Sequence, residues 1–409
     1  MQINDIIKKC IEIPGISIHH TSQNATLILN TDEGKGSMTF FPLFPGLTLA
    51  YIFVNSPTWP APDLYAVNEE TNTDIKPPLL LNYCISGRCE MLLNSKNFVY
   101  VKEKELSLSE CFAQSQYVYP LHIYNGIEFF VDIQTIHSQA SWILDELHID
   151  FKKIATIYCP DESTYIETAL PEIEEMLLKL WELFPQPSFS ESLHNRKFSR
   201  ETLQTGFLQT EDLQTEFLQT KNLQTEVFQT QNLEKDILQN DTQFSEVPEI
   251  IFSQMKLYTL TLFSLLLTQK PASSPKPRTF FTEMQVRIAK EVEKIITADL
   301  SKHYPAHQLA SKFSISETSL KNYFRGVFGQ NISFYLREVR MKKAAELLGN
   351  TNLPVSKIAE QVGYMNQSKF AAVFKKQMEM APLEYRRFVN SELPQASETL
   401  PKRDDIPYL

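Results

Sequence analysis

Hydrophobic residues follow two different periodicities along the chain. Between residues 25 and 136, short β-branched and aromatic runs alternate with Gly, Pro, Asn or Ser, which is typical of the strands of a sandwich or small barrel. The predicted strands are ATLILN (25–30), MTFFPLF (38–44), LTLAYIFVN (47–55), LLLNYCI (79–85), EMLLN (90–94), FVYVKE (98–103) and FFVDIQTI (129–136). Farther along, apolar residues recur at helical spacing and predict helices over 137–157, 164–183 and 248–268.

Three polar segments interrupt this pattern. The triplet Leu-Gln-Thr begins at residues 203, 208, 213, 218 and 223, and a five-residue period places successive leucines ~140° apart on a helix, so they form no stripe. We interpret the repeats as a solvated insertion that grew by tandem duplication, with a partner-binding element as the alternative. The Pro- and Ser-containing residues 269–278 indicate a linker, and the polar residues 391–409 indicate a disordered tail.

These boundaries predict an α+β chain. Its expected parts are a β-rich domain at 1–160, hinge helices at 161–268 with the repeat insertion at 199–240, the linker at 269–278, an all-α domain at 279–390 and the tail at 391–409. Most of residues 279–390 show the helical period, which separates this last domain from the strand-rich start of the chain.

Charge is distributed unevenly along the chain. The formal net charge is −10, which taken alone argues against a nucleic-acid partner. Residues 301–390, however, contain 14 Lys or Arg and 6 Asp or Glu, a net charge of +8 that leaves −18 on the rest. A compact basic block on an acidic chain is typical of a nucleic-acid-binding domain, although a solvated lysine-rich face would have the same composition.

Within the basic block, two helix-turn-helix patterns lie 49 residues apart. In the first, a helix at 305–313 with the small residue Ala310 at the crossing is followed by a turn, and Ser316 caps a second helix at 317–328. In the second, a helix at 354–362 is followed by a Gly363 turn and a helix at 367–378, capped by Asn366 or Ser368. An amphipathic helix at 332–348 connects them.

This arrangement resembles the DNA-binding domain of the AraC/XylS family of bacterial transcription regulators. About 90 residues carry the resemblance, including Leu309, Ala310, Leu320, Phe324, Phe328, Gly329, Tyr335, Arg340, Ile358, Ala359, Gly363, Tyr364, Phe370, Phe374, Pro382, Tyr385 and Arg386. Three positions depart from the family pattern: Glu379 replaces the usual Gly, Ala381 the usual Ser or Thr, and Ala372 a frequent basic residue. The resemblance implies two recognition helices that enter successive major grooves about one DNA turn apart, ~34 Å.

The predicted DNA-binding residues lie on the polar faces of the two recognition helices. Arg and Lys pair with guanine, and Asn and Gln pair with adenine, while phosphate contacts supply salt-sensitive affinity. The candidates are Ser316, Thr318, Lys321, Asn322 and Arg325 on the first helix and Asn366, Gln367, Ser368, Lys369 and Lys375 on the second. For each of them, a phosphate contact or a solvated surface position is the alternative.

The strand-rich half resembles the sensing and dimerising part of such regulators, often a cupin-like barrel. The stretch NYCISGRCEMLLN (82–94) is similar to a subgroup that contains siderophore-responsive regulators. A barrel mouth is a natural site for a small ligand, so we expect Tyr83, Arg88 and Glu90 to line an effector site. The resemblance further implies a homodimer that acts with RNA polymerase, as an activator.

The sequence offers little chemistry for an enzyme, and we predict no catalytic residue, no metal site and no cofactor. No H-x-H pair, P-loop, G-x-S-x-G or H-E-x-x-H motif is present, and Cys84 and Cys89 fit buried structural thiols better than a redox pair. A cupin-class enzyme, or a metal- or ligand-binding module, with an appended DNA-binding domain remains the alternative. We expect no signal peptide, no membrane span and a cytoplasmic location, since the longest apolar stretch is interrupted by polar residues.

Overall fold

The computed structural model describes residues 13–60, 78–93, 97–110, 116–184, 246–269 and 279–392. They belong to two compact units. The first unit contains the described residues up to 292 together with 306–332, and the second contains 293–305 and 333–392. The Leu-Gln-Thr repeats, most of the linker and almost all of the tail lie outside the described residues. The domain boundaries expected from the sequence therefore stay predictions.

Antiparallel strands dominate the first unit. The strands are β1 (Ile16–His20), β2 (Ala25–Thr31), β3 (Gly34–Phe44), β4 (Leu47–Asn55), β5 (Thr58–Pro60), β6 (Leu79–Leu93), β7 (Asn97–Lys102), β8 (Glu105–Ser109), β9 (Gln116–Val118), β10 (Tyr124–Val131), β11 (Tyr165–Thr168) and β12 (Phe281–Thr282). The main path through the sheet is β1-β2-β3-β4-β10-β6-β7-β12, and β6 also pairs with β8 and β9. Because β6 pairs with four neighbours, it organises the half of the sheet that contains Arg88 and Glu90.

The two faces of the sheet bury two separate cores. Alternate residues of a strand point to opposite faces, so Leu49 and Phe129 pack with the helices, whereas Ala50 and Phe130 pack inside the curved sheet. The β-rich half is thus a half-barrel with helices on its outer face. Together with the helical C-terminal region this confirms the α+β class.

Two of the predicted strands have different limits in the structure. Residues 79–85 and 90–94 were expected to be separate strands, but β6 is continuous through them; its pairing with β10 shifts register at Ile85, and Gly87 adopts φ +91° two residues later. The strand predicted at 129–136 ends at Val131. Asp132 then caps a helix, since its carboxylate accepts a hydrogen bond from the Thr135 backbone N–H at 3.0 Å.

Among the residues described in this part of the chain, five α-helices accompany the strands. They are α1 (Ile133–Gln139), α2 (Ser141–Glu146), α3 (Phe151–Tyr158), α4 (Pro171–Glu182) and α5 (Glu249–Thr268). The single helix predicted at 137–157 is therefore three short helices, and the start of the one predicted at 164–183 is strand β11. Helix α5 matches its prediction and begins directly after Pro248.

Helix α5 passes a length and composition test for a membrane span, and it does so alone among the helices that the structure describes. Met255, Leu262, Phe263 and Leu266 are nevertheless fully buried in the core formed with the sheet. The edge-to-face contacts of Phe263 with Phe129 and Phe151 fix it there. The helix packs as a core element of a folded domain.

The C-terminal region is helical, as predicted. Its helices are α6 (Glu283–Ala298), α7 (Ala306–Lys312), α8 (Glu317–Phe328), α9 (Ile332–Asn350), α10 (Val355–Gln361), α11 (Gln367–Met378) and α12 (Pro382–Glu392). The pairs α7–α8 and α10–α11 are the two expected helix-turn-helix units. Each has its predicted small crossing residue buried: Ala310 at 2% exposure and Ala359 at 1%.

Candidate nucleic-acid interface

The first helix-turn-helix unit is held by a cap and an aromatic stripe. The Ser316 hydroxyl accepts a hydrogen bond from the Ser319 backbone N–H at 3.0 Å and starts α8. Leu320, Phe324 and Phe328 are buried on one face, with the two phenyl rings 4.5 Å apart. The opposite face of α8 is therefore left to polar side chains.

That outer face of α8 displays the predicted DNA-binding residues. Thr318, Lys321, Asn322 and Arg325 are all exposed. Lys321 forms an ion pair with Glu317 one turn earlier, and this lysine lowers the pKa of the Glu317 carboxyl. A phosphate contact by Lys321 would require it to leave Glu317. The Ser316 oxygen is already used as the helix cap, because it accepts the Ser319 backbone N–H.

The second unit repeats this design with different residues. Gly363 makes the turn at φ +81°, and Asn366 caps α11 because its side chain accepts from the Lys369 N–H at 2.9 Å. Phe370 and Phe374 are fully buried, and Phe374 meets Tyr385 edge to face. Of the two capping residues considered from the sequence, the structure selects Asn366.

The outer surface of α11 and of the turn before it is polar and basic. The predicted residues Asn366, Gln367, Ser368, Lys369 and Lys375 are exposed there, together with Lys376. Sequence reasoning missed Met365, which precedes the cap and is fully exposed. A methionine at the start of a recognition helix offers an apolar contact for a thymine methyl group.

Two arginines of the basic block are used inside the fold. The Arg340 guanidinium donates to the Lys302 carbonyl at 2.7 Å, and Arg386 donates to the carbonyls of Leu348 and Leu353. Burial lowers the pKa of Arg340. The +8 charge of this region therefore overstates the cations that are available to phosphates.

The spacer between the units is one continuous helix. Helix α9 has 19 residues, slightly more than predicted, and is ~28 Å long at 1.5 Å per residue. The Tyr335 hydroxyl donates to Glu293 of α6 at 3.0 Å and ties the spacer to that helix. Helices α8 and α11 belong to different compact units, so the ~34 Å separation stays a prediction.

The three predicted effector residues do not form one site. The Tyr83 hydroxyl donates to Glu174 of α4 on the outer, helix-covered face of the sheet. Arg88 and Glu90 instead lie around Tyr100: the Arg88 guanidinium is 4.9 Å from the ring centroid, and the Tyr100 hydroxyl donates to Glu90 at 2.7 Å. The structure thus brings together two of these residues and separates the third.

The inner core of the half-barrel contains buried titratable groups. Cys84 and Cys89 are free thiols, and burial raises the pKa of both, which makes them poor nucleophiles. Burial also raises the pKa of the Glu128 carboxyl to about 8. Among the residues that the structure describes, no group of three His, Cys, Asp or Glu could hold a metal ion.

Comparison with known proteins assigns the helical region. A family model described as a helix-turn-helix domain matches residues 309–387. The HTH-type transcriptional activator RhaR of Enterobacter sp. (strain 638) is 27% identical over 149 residues, 36% of this chain and 48% of that protein. RhaR of Yersinia pseudotuberculosis serotype O:1b (strain IP 31758) is 36% identical over 93 residues, 22% of this chain and 32% of the relative. The chain thus spans about half, or less, of these curated relatives.

Solved structures are also similar to part of the chain. The C-terminal domain of AraT, a response regulator from Geobacillus stearothermophilus, is 34% identical, covers 25% of this chain and 84% of its own, and has a TM-score of 0.24. The DNA-binding domain of AdpA in complex with a target DNA is 22% identical, covers 26% of this chain and 96% of its own, and has a TM-score of 0.25.

Proposed function

Because residues 309–387 form a helix-turn-helix domain of the AraC type, we propose that the chain is a sequence-specific, DNA-binding transcription regulator. The observation that supports this most is the pair of side-chain-capped helices, α8 and α11, each with a buried aromatic stripe and an exposed polar face. Both faces lie in the segment of net charge +8. We assign the chain no catalytic role, since its relatives are transcriptional activators.

In this proposal, the two recognition helices enter successive major grooves of double-stranded DNA. Arg325 and Asn322 on α8 and Gln367 on α11 read base edges, because bidentate Arg–guanine and Asn or Gln–adenine pairs match these side chains. Lys369 and Lys375 neutralise phosphates and supply the salt-dependent part of the affinity. Ser316 and Asn366 position the helices as caps.

The expected partners follow from the same domain. The relatives are described as activators, and we propose that this chain also activates RNA polymerase from a bound operator, in the cytoplasm. A small-molecule effector acts on the β-rich half. Arg88 and Glu90 lie together around Tyr100, apart from Tyr83, and are therefore the effector candidates that can share one site.

We further propose a homodimer in which α5 of one chain packs on a second copy. Ile250 and Leu257 of this helix lie seven residues apart on one face and are 66% and 60% exposed. Leu178 of α4, which packs beside α5, is 40% exposed. An apolar face of this kind, in the part of the chain that resembles a dimerising region, fits a copy of the same helix.

Selection of DNA from a random pool by the full chain tests the proposal. The expected result is a single enriched motif that the protein binds at least ~10³-fold more tightly than a shuffled duplex. Binding to the motif should also weaken steeply as salt increases. Equal affinity for the selected and shuffled duplexes would contradict the proposal.

A further inference from the structure

One side of the polar face of α8, the side that contains Asn322 and Arg325, lies next to the half-barrel in this structure, although both side chains keep exposed surface. Asn322, Arg325, Gly326 and Gly329 recur at intervals of three or four residues and so share one side of the helix. All four lie in the same compact unit as strands β6, β7 and β8. Their surroundings can therefore be described directly.

The Arg88 guanidinium is the main polar contact on that face. It donates to the Gly326 backbone carbonyl, and its Nη1 lies 3.1 Å from where a Cβ on Gly329 would be. The same guanidinium stacks over the Tyr100 ring, which is held by Glu90. A charge-assisted bond from a side chain fixed by neighbouring groups gives this contact a defined geometry.

An aromatic ring covers the same point of the helix. Phe281 of β12 lies so close to Gly326 that its ring atoms are 2.0 Å from the position of an added Cβ. Phe281 pairs with Phe98 of β7, and Lys290 of the following helix forms an ion pair with Glu90 at 2.9 Å. A glycine inside a helix costs about 1 kcal/mol relative to alanine, and here it permits close packing.

Side chains of the half-barrel lie beside the base-reading residues of α8. Asn322 and Arg325 line a cavity of about 640 Å³, and its other walls include Tyr100, Lys102 and Glu105 of the half-barrel. That volume suits a small molecule. A recognition helix in a major groove needs the duplex on its base-reading side, and the groove alone is about 12 Å wide.

We propose that the half-barrel masks the first recognition helix, with Arg88 and Phe281 as the contacts that hold α8 against β6 and β7. In the masked state Asn322 and Arg325 cannot enter a major groove, so DNA binding by the first unit requires this contact to open. This inference rests on the proposed function. It gives Arg88, an effector candidate, the further role of restraining the DNA-reading helix.

Two substitutions in the full chain distinguish masking of α8 from the effect of positive charge on DNA affinity. Arg88→Ala removes a cation, which by charge alone should weaken DNA binding, yet unmasking should tighten it. Gly326→Ala changes no charge and favours the helix, but its methyl group meets Phe281. Lys102→Ala is the matched control: it removes a cation from the same cavity, and its ion pair is with Glu105 of the sheet.

The measurement is affinity for a duplex enriched from random DNA by the Arg88→Ala variant. We expect Arg88→Ala and Gly326→Ala to bind about tenfold more tightly than the unaltered chain, and Lys102→Ala to bind no more tightly. Faster hydrogen exchange of residues 317–328 should accompany the increase. DNA binding that is unchanged or weaker in both variants, without faster exchange, would overturn the masking while leaving the proposed function standing. Absence of specific binding in every protein would overturn both.

Discussion

Single residues at the ends of the recognition helices determine the backbone strain in each helix-turn-helix unit. Helices α8 and α11 end in the same way, with a residue in the left-handed region, but that residue is Gly329 in the first unit and Glu379 in the second. Glu379 has φ 57°, where a side chain is strained and glycine is not. The departure from the family pattern noted in the sequence is thus a local cost in backbone strain.

Replacing this glutamate therefore tests the helix end. Glu379→Gly should raise the free energy of unfolding of the second unit by about 1 kcal/mol. Glu379→Ala, which keeps a Cβ at the same φ, should change it little. Urea unfolding of the full chain gives both values. If the Gly variant is no more stable than the Ala variant, the backbone at position 379 is not strained.

The buried Glu128 carboxyl predicts a pH effect on stability. Its pKa is about 8 in the folded state against 4.5 for the ordinary group, so between these values the folded protein binds the extra proton. Stability from this group is therefore present below about pH 4.5 and is lost as the pH rises towards 8. Glu128→Gln removes the ionisation, so the variant should gain melting temperature relative to the unaltered chain as the pH rises from 5 to about 8. If the melting temperatures of the variant and the unaltered chain instead differ by the same amount at every pH in this range, the pKa of Glu128 is not raised by burial.

On helix α11, substitutions of a base-reading residue and of a phosphate-binding residue should have different effects on DNA binding. Gln367 lies at the first turn of α11, and Lys375 lies two turns later. Gln367→Ala should cost about 1–3 kcal/mol at one base pair and relax the preference there. Lys375→Ala should weaken binding to all sequences and reduce the salt slope by about 1. Binding to single-substituted duplexes at several salt concentrations measures both, and identical behaviour of the two variants would contradict the assignment.

Elements with strong local signals were predictable from the sequence. The two helix-turn-helix units combine a helical period with capping residues, and their limits fall within two residues of those predicted. The short strands β1, β5, β8, β9 and β12 were missed; all of them except β1, which pairs with the adjacent β2, depend on pairing with strands distant in the sequence. The division at Asp132 was missed because the apolar period of residues 129–136 outweighed the capping signal.

In the candidate site, too, features set by local sequence were predictable, and contacts between residues far apart in the sequence were not. The exposed faces of α8 and α11 follow from the helical period, so their polar residues could be listed from sequence. The contact of Arg88 with Gly326 spans 238 positions, and no local pattern indicates it. Tyr83 belongs to the outer core of the half-barrel, whereas Cys84 and Cys89 both belong to the inner core, so the irregular pairing at Ile85 shifts the alternation of β6 before it reaches Arg88.

For the whole molecule, the dimer proposal makes a direct prediction. Leu257→Asp places a charge in the exposed apolar face of α5 and should shift the chain from dimer to monomer. Leu383→Asp is the matched control, since Leu383 is also an exposed leucine, at 52%, but belongs to α12 and not to α5. Sedimentation analysis of both variants decides the matter. A monomeric unaltered chain, or dimers in both variants, would exclude α5 as the interface.

The charge distribution also belongs to this scale. The net charge of −10 divides into +8 on residues 301–390 and −18 elsewhere, so a DNA phosphate backbone attracts one part of the chain and repels the other. The acidic total therefore describes the rest of the chain and carries no argument against DNA as the partner. Because this negative charge repels DNA phosphates, we also expect the half-barrel not to contact the duplex once α8 is released.

Hydroxyl-radical and methylation footprinting of the chain on its selected duplex tests directly whether both recognition helices read DNA. The claim that α8 and α11 both read DNA predicts two protected major-groove patches per chain on one face of the helix, about 10 base pairs apart. Arg325→Ala should remove one patch and Gln367→Ala the other. A single patch per chain, or loss of the same patch in both variants, would contradict reading by two recognition helices.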